Sequence, residues 1–224
     1  SGDEALAPTG IDALETALGG GFPRGQLSEL VGPASSGRTS VMLQALAAAT
    51  ARGELVAVVD ALDMFDVESA ALAGVDLSRL LWVRGHVVAN PGQCRDVNPR
   101  ALEQALRALS LLLQAGHFGL VVLDVAGAAP ELLRRLPFTT WLRLQRMVEG
   151  SQTSCVLVGG EGLARSAAGV TVRLTARREQ PGATAAEHTM PSHARLFTGL
   201  SADVSVARAR AHGADGRAWA VQTQ

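Results

Sequence analysis

The stretch Gly32-Pro33-Ala34-Ser35-Ser36-Gly37-Arg38-Thr39-Ser40 constrains this chain more than any other. A phosphate-binding loop runs Gly, four residues, Gly, Lys, then Ser or Thr. Here the spacing is kept and Thr39 is kept, but Arg38 stands where the lysine belongs. The flanks suit such a loop, because residues 27–31 read as a short buried strand and residues 39–52 as an Ala- and Leu-rich helix. A glycine-rich turn between strand and helix gathers backbone N–H groups at one spot, and the helix N-terminus adds partial positive charge. Thr39 falls where a hydroxyl ligates magnesium. The usual lysine is a compact charge, whereas arginine is longer, planar and forked. The expected result is weak or altered nucleotide binding and poor hydrolysis. The competing reading is a Gly/Ser-rich turn that holds no ligand.

A length of 224 residues with 47% hydrophobic content suits one domain with an ample core. We expect a single domain over residues 1–224, with 1–8 flexible and 179–193 a mobile loop. No run approaches the roughly 18 apolar residues of a membrane span, and no basic-then-apolar leader is seen. Cys94 and Cys155 lie far apart, in no metal or redox spacing, and fit a reducing cytoplasm. The net charge of −1 provides no global basic field for nucleic acid. Every one of the 20 basic residues is arginine, so any phosphate contact must use arginine.

Read in order, Asp12 and Glu15 resemble a capping pair ahead of a short helix that stops at Gly19-Gly20-Gly21. Short apolar strands are expected at 55–60, 80–83, 120–124 and 155–158. Helices are expected at 39–52, 66–73, from Pro99 to Gly116, and at 138–149. Continuous apolar strands alternating with helices argue a mostly parallel sheet covered on both faces. From Val170 onward the residues alternate instead, at 170–175, 204–210 and 218–221, which predicts antiparallel strands closing the sheet toward the C-terminus. The fold class is therefore α/β.

The order of these parts resembles the RecA-fold recombinases along nearly the whole chain. Thr9-Gly10-Ile11-Asp12-Ala13-Leu14, the loop with Pro33 and the Ser35-Ser36 pair, Asp60-Ala61, Asp66, Gly74-Val75-Asp76-Leu77-Ser78-Arg79-Leu80-Leu81, and Asp124 closing its strand follow one another as in that family. The resemblance implies a nucleotide site of Gly32, Pro33, Ser35, Ser36, Gly37, Arg38, Thr39 and Ser40. Asp66 would lie near the adenine, and Thr39 and Asp124 on the magnesium side. It also implies that Leu62 stands where the family has the glutamate that activates water; leucine takes no proton. Asp63 is next door, but a neighbour on an extended chain points to the other face. Gly160 stands where the family has the glutamine that senses the γ-phosphate. The two DNA-binding loops are trimmed to 130–137 and 160–169, with Arg134 and Arg135 in the first and Arg177 and Arg178 nearby as DNA-contact candidates. The arm that links family subunits into filaments is expected to be missing or very short.

Arg38, Leu62 and Gly160 depart together, at the loop cation, the base and the sensor. In this the chain most resembles the ImuA proteins, degenerate RecA relatives of bacterial translesion mutagenesis. That resemblance implies an accessory protein, with little or no ATPase and weak ATP and magnesium binding at most, in DNA-damage-induced (SOS) translesion synthesis. It would bind an ImuB-like relative of Y-family polymerases, and through it an error-prone replicative-type polymerase, with RecA as a further candidate partner. DNA contact would be weak or indirect, and the location cytoplasmic, at the nucleoid when DNA is damaged. Two alternatives stay open: a slow DNA-dependent ATPase of the recombinase-paralogue type, and a nucleotide-gated regulator of RecA filaments. The bland readings compete residue by residue: Asp66 as a helix N-cap, Asp124 as a solvated strand end, the arginine pairs as solvated faces. Trp82 and Trp141 fit core faces, and the five histidines show no ligand spacing.

Overall fold

The computed structural model describes residues 5–85, 99–176, 201–209 and 218–222. Its centre is β3 (Gln26–Val31), the strand that feeds the glycine-rich loop. The other strands of the main sheet are β4 (Val56–Asp60), β5 (Leu80–Arg84), β6 (Leu120–Asp124), β7 (Ser154–Gly159), β8 (Val170–Ala176), β9 (Ser201–Ala209) and β10 (Ala218–Gln222). Their spatial order is β10-β9-β8-β3-β7-β6-β4-β5. Strands β8 through β5 in that order run parallel, and β9 and β10 pair antiparallel. The expected antiparallel start at Val170 is corrected here: β8 pairs parallel with β3 on one side and antiparallel with β9 on the other. The alternation along β8 therefore marks the boundary strand. A small hairpin-like pair, β1 (Leu6–Ala7) and β2 (Phe22–Pro23), stands apart from the sheet.

Successive strand residues point to opposite faces, and each face has its own core. Val56 and Val58 of β4, Val122 of β6 and Val156 of β7 share one cluster with Leu14 of α1 (Asp12–Leu18) and Val41, Met42 and Leu46 of α2 (Arg38–Ala51). Ala57, Val59, Val121 and Leu157 share the other with α4 (Pro99–Ala115) and α6 (Phe138–Val148). Leu102, Leu106, Leu109 and Leu113 of α4 recur at helical spacing and are all buried. Trp141 of α6 is buried in the same layer. The remaining helices are α3 (Val67–Leu72) and the one-turn α5 (Pro130–Arg134). Burial of each such side chain contributes about 1.5–3 kcal/mol relative to exposure.

The first helix is held differently from the expected capping pair. Asp12 lies inside the first turn, after Ile11 at the cap position, which makes no side-chain cap. Glu15 alone reaches back, its carboxylate accepting from the N–H groups of Thr9 and Gly10 at 2.8 and 2.7 Å. Gly19 ends the helix in the left-handed region at φ 73°, where glycine carries no Cβ penalty.

Candidate nucleotide site

In parallel α/β sheets ligands bind beyond the carboxyl ends of the strands, where the connection reverses direction. Here β3 crosses to β4 through α2, skipping over β7 and β6. Four strand ends meet at that crossing: Val31 lies in register with Gly159, Asp124 with Val158, and Asp60 with Asp124. The loop from Gly32 to Ser40 rises out of this row.

Sterics explain its glycines. A Cβ at Gly32 would collide with the Leu174 carbonyl oxygen and with Ser36 Oγ. The Gly32 N–H donates to the Gly159 carbonyl at 3.3 Å, tying the loop to β7. Gly37 caps α2 at φ 91°, a left-handed conformation, with no side-chain cap on the helix. The first amides of a 14-residue helix are thus left without a side-chain acceptor, which is the arrangement that attracts anions.

Two buried donors in this loop have no protein partner, the Ser36 hydroxyl and Nη1 of Arg38. Ser36 is 1% exposed. Buried polar atoms are nearly always hydrogen-bonded, so a pair of orphan donors beside an uncapped helix start fits a phosphate group. Pro33, Ser35 and Thr39 are exposed and Ser40 is half-buried around them. Burial lowers the pKa of the Arg38 guanidinium, and Asp124 opposes that shift. Burial raises the pKa of Asp124; the Ala126 N–H at 2.9 Å and Arg38 counteract it, while Asp60 adds to it. Arg38 and Asp124 are thus near enough for each charge to influence the other. Asp60 is 1% exposed and accepts from the N–H groups of Met64 and Phe65 at 3.0 and 2.8 Å and from Trp82 Nε1 at 3.3 Å. It pins the turn after β4 and has little left for a ligand.

The magnesium half of the expected site consists of Thr39 and Asp124. Burial raises the pKa of Asp124 and the charge of Arg38 offsets part of that shift, while Thr39 stands exposed at the start of α2. Leu62 is buried and points toward Gly127. Asp63, in the left-handed region at φ 55°, accepts from Arg84 rather than facing the loop.

The other singled-out residues separate from the loop. Asp66 is the N-cap of α3, accepting from the Glu68 and Ser69 amides at 3.2 and 3.3 Å, so the helix-cap reading describes its contacts. Arg134 forms a two-pronged ion pair with Glu161 at 2.8 and 3.0 Å. Arg135 caps α5 and is exposed. Together with Phe138 and Trp141 these residues line a cavity of about 340 Å³ between the first trimmed segment and the loop after β7. Gly160 is exposed with open space around it. Arg177, Arg178 and the 179–193 segment lie outside the described residues.

Sequence reasoning missed three partners. Glu29, 2% exposed in the middle of β3, accepts from the Leu163 and Ala164 amides at 2.5 and 2.7 Å and from the Thr171 hydroxyl at 2.9 Å. A charged residue inside an apolar strand was the available signal, since a buried charge demands partners. Glu161 and Arg84 carried no local signal, because their partners lie 27 and 21 residues away.

Comparison with known proteins follows this geometry. A family model described as the RecA N-terminal domain matches residues 3–132, more than half of the chain. The chain belongs to that family. It is 40% identical over 129 residues to Protein RecA of Mycobacterium ulcerans, covering 57% of this chain and 33% of the relative. It is 39% identical over 137 residues to Protein RecA of an Arthrobacter strain, covering 58% and 35%. The matched region thus spans about a third of the length of these RecA relatives. The crystal structure of the RadB recombinase superposes with a TM-score of 0.66 at 18% identity, covering 98% of this chain and 96% of that one; this likeness concerns the fold. Among the described residues no helix is long and apolar enough to cross a membrane.

Proposed function

We propose that this RecA-family chain is an accessory protein that does not run an ATPase cycle, an ImuA-like component of DNA-damage-induced translesion synthesis. The observation that carries it is the pairing of Asp63 with Arg84 beside a buried Leu62. The resemblance assigns water activation to this short stretch, and its one apolar and one ion-paired side chain leave no carboxylate aimed at the loop. Such a protein acts through surfaces rather than turnover. Its partner is an ImuB-like relative of Y-family polymerases, with RecA and an error-prone replicative-type polymerase as further members of the assembly, in the cytoplasm.

A second reading, a nucleotide-gated regulator, is favoured by the orphan donors of Ser36 and Arg38. The loop from Gly32 to Ser40 would hold the phosphates of ATP, and the bound nucleotide would alter the surface offered to the partner. Both readings predict phosphate release at background level, with or without single-stranded DNA.

The test combines phosphate release, a thermal melt with ATP, and co-purification with the ImuB-like partner. A ligand that binds only the folded state at 100 times its dissociation constant stabilises by about 2.7 kcal/mol. Capture of the partner with no turnover supports the accessory role, and dependence of that capture on ATP selects the gated form. DNA-stimulated turnover that disappears in Asp124→Asn overturns both and makes the protein a slow ATPase.

A further inference from the structure

The cavity of about 340 Å³ beside α5 shares no lining residue with the glycine-rich loop. Three arginines line it, Arg134, Arg135 and Arg165, against one carboxylate, Glu161. The two-pronged pair of Arg134 and Glu161, at 2.8 and 3.0 Å, satisfies both partners. The surplus positive charge therefore lies on Arg135 and Arg165, which are both exposed. Among the described residues Arg135 makes no ion pair.

The segment that carries Arg165 is held in a costly shape. Arg165 stands at φ 49°, in the left-handed region that a residue with a Cβ rarely adopts. Such strain persists only where the surroundings over-determine it, and it gathers at functional sites. Here the surroundings include the buried Glu29 carboxylate, which accepts from the Leu163 and Ala164 amides just ahead of Arg165. A buried charge in the central strand thus fixes the backbone that brings Arg165 to the cavity.

Guanidinium forks match carboxylates two-pronged, and this cavity already shows that geometry once, between Arg134 and Glu161. A single strand of DNA instead calls for a row of cations along its backbone and open aromatic faces for its bases. Trp141 is 2% exposed and Phe138 is half-buried, so neither lining ring offers such a face. We propose that this cavity docks a short acidic segment of a protein partner, whose aspartate or glutamate side chains are taken up by Arg135 and Arg165. This deepens the reading of the chain as a protein that acts through its surfaces, and rests on it.

The experiment is fluorescence anisotropy of the full chain at low salt with three labelled probes. They are a nonapeptide of alternating glutamate and serine, the same peptide with glutamine for glutamate, and oligothymidylate. Ligand-free melts establish that each variant is folded. The glutamate peptide should bind at least about tenfold more tightly than the glutamine peptide. Arg135→Gln and Arg165→Gly should each weaken it about fivefold. Glycine adopts a positive φ without strain, so Arg165→Gly should keep or raise the urea midpoint while it loses affinity. A residue that served only the fold would lose stability and leave affinity alone. No binding of the glutamate peptide, or equal binding of the glutamine peptide, overturns the acidic-segment proposal; background phosphate release with partner capture would still uphold the accessory role. Oligothymidylate bound more tightly than the glutamate peptide, and lost in the same two variants, overturns it in favour of a nucleic-acid surface.

Discussion

The Asp63 carboxylate is gripped by Arg84, whose Nε and Nη2 donate to its two oxygens at 2.7 and 2.8 Å. The same guanidinium lies over the Trp82 ring, 4.5 Å from its centroid. Asp63 directly follows Leu62, and its carboxylate is held by an ion pair on the exposed side of the chain. Replacing Arg84 by Ala frees the carboxylate but does not move its backbone. We expect no phosphate release from Arg84→Ala above the natural background, and only a small change in urea midpoint, as is usual for exposed ion pairs. Turnover appearing in this variant would show that the ion pair alone suppresses an enzyme.

Glu29 supports the opposite side of the site. It lies on the strand that carries the loop and holds the root of the segment after β7 through Leu163, Ala164 and Thr171. Glu29→Ala leaves three buried donors without an acceptor. Removing one partner from such a buried charged network costs about 3–5 kcal/mol. Glu29→Gln keeps the shape and one good acceptor, and should cost about 1–3 kcal/mol. Urea denaturation checks this: the midpoint should fall in that order while the slope stays constant.

The pH dependence of stability carries a signature of Asp124. Its pKa is raised from 3.8 by burial, with the Ala126 amide offsetting part, Asp60 adding to it, and Arg38 offsetting more. Above 3.8 the unfolded chain has lost this proton while the folded chain still holds it, so folding binds protons and stability falls as pH rises through that window. Asp124→Asn has no such proton. The stability gap between the two proteins should shift toward the variant as pH rises above about 4. A gap that shifts the other way would place Asp124 in a strongly attractive field instead.

Glu54 gives the opposite slope. Burial pushes its pKa up, but hydrogen bonds from Arg52 and Arg24, aided by their charges, outweigh burial and bring it below 4.5. Its contribution is present above pH 4.5 and is lost as pH falls through its folded value. Glu54→Gln should therefore be less stable than the natural chain at neutral pH. The difference should vanish in acid, as followed by thermal melts across the range.

How far the sequence could be read depended on whether a signal was local. The strand, loop and helix around Gly32 were legible because glycine spacing, an apolar run and an Ala-rich helix are each visible within a few residues. Leu102, Leu106, Leu109 and Leu113 of α4 repeated at the spacing of one buried face, and those four proved buried. The parallel pairing of β8 with β3 was not legible, since alternation reports one-sided burial and not strand direction. At the site, the exchange of lysine for Arg38 could be seen, but the burial of its Nη1 without a partner depends on how the loop packs. Asp63 was expected to point away on the logic of an extended chain. In the structure its backbone is left-handed, not extended, and its carboxylate pairs with Arg84, 21 residues on.

The Arg134–Glu161 pair decides how this face meets nucleic acid. Both prongs of Arg134 are engaged, at 2.8 and 3.0 Å, and a carboxylate stands beside the cavity that Arg135 also lines. A phosphate backbone approaching this surface meets one compensated arginine and a negative charge. The natural chain should thus bind single-stranded DNA weakly. Glu161→Ala removes the negative charge and releases Arg134, so affinity should rise at low salt. Because the gain is a phosphate contact, it should shrink steeply between about 50 and 200 mM salt, with the slope of log affinity against log salt growing by about 0.7 for the one added contact to a single strand. Fluorescence anisotropy with a labelled oligonucleotide measures both quantities. An unchanged affinity and slope would mean that this surface makes no contact with DNA, and that the ion pair serves only to join α5 to the loop after β7.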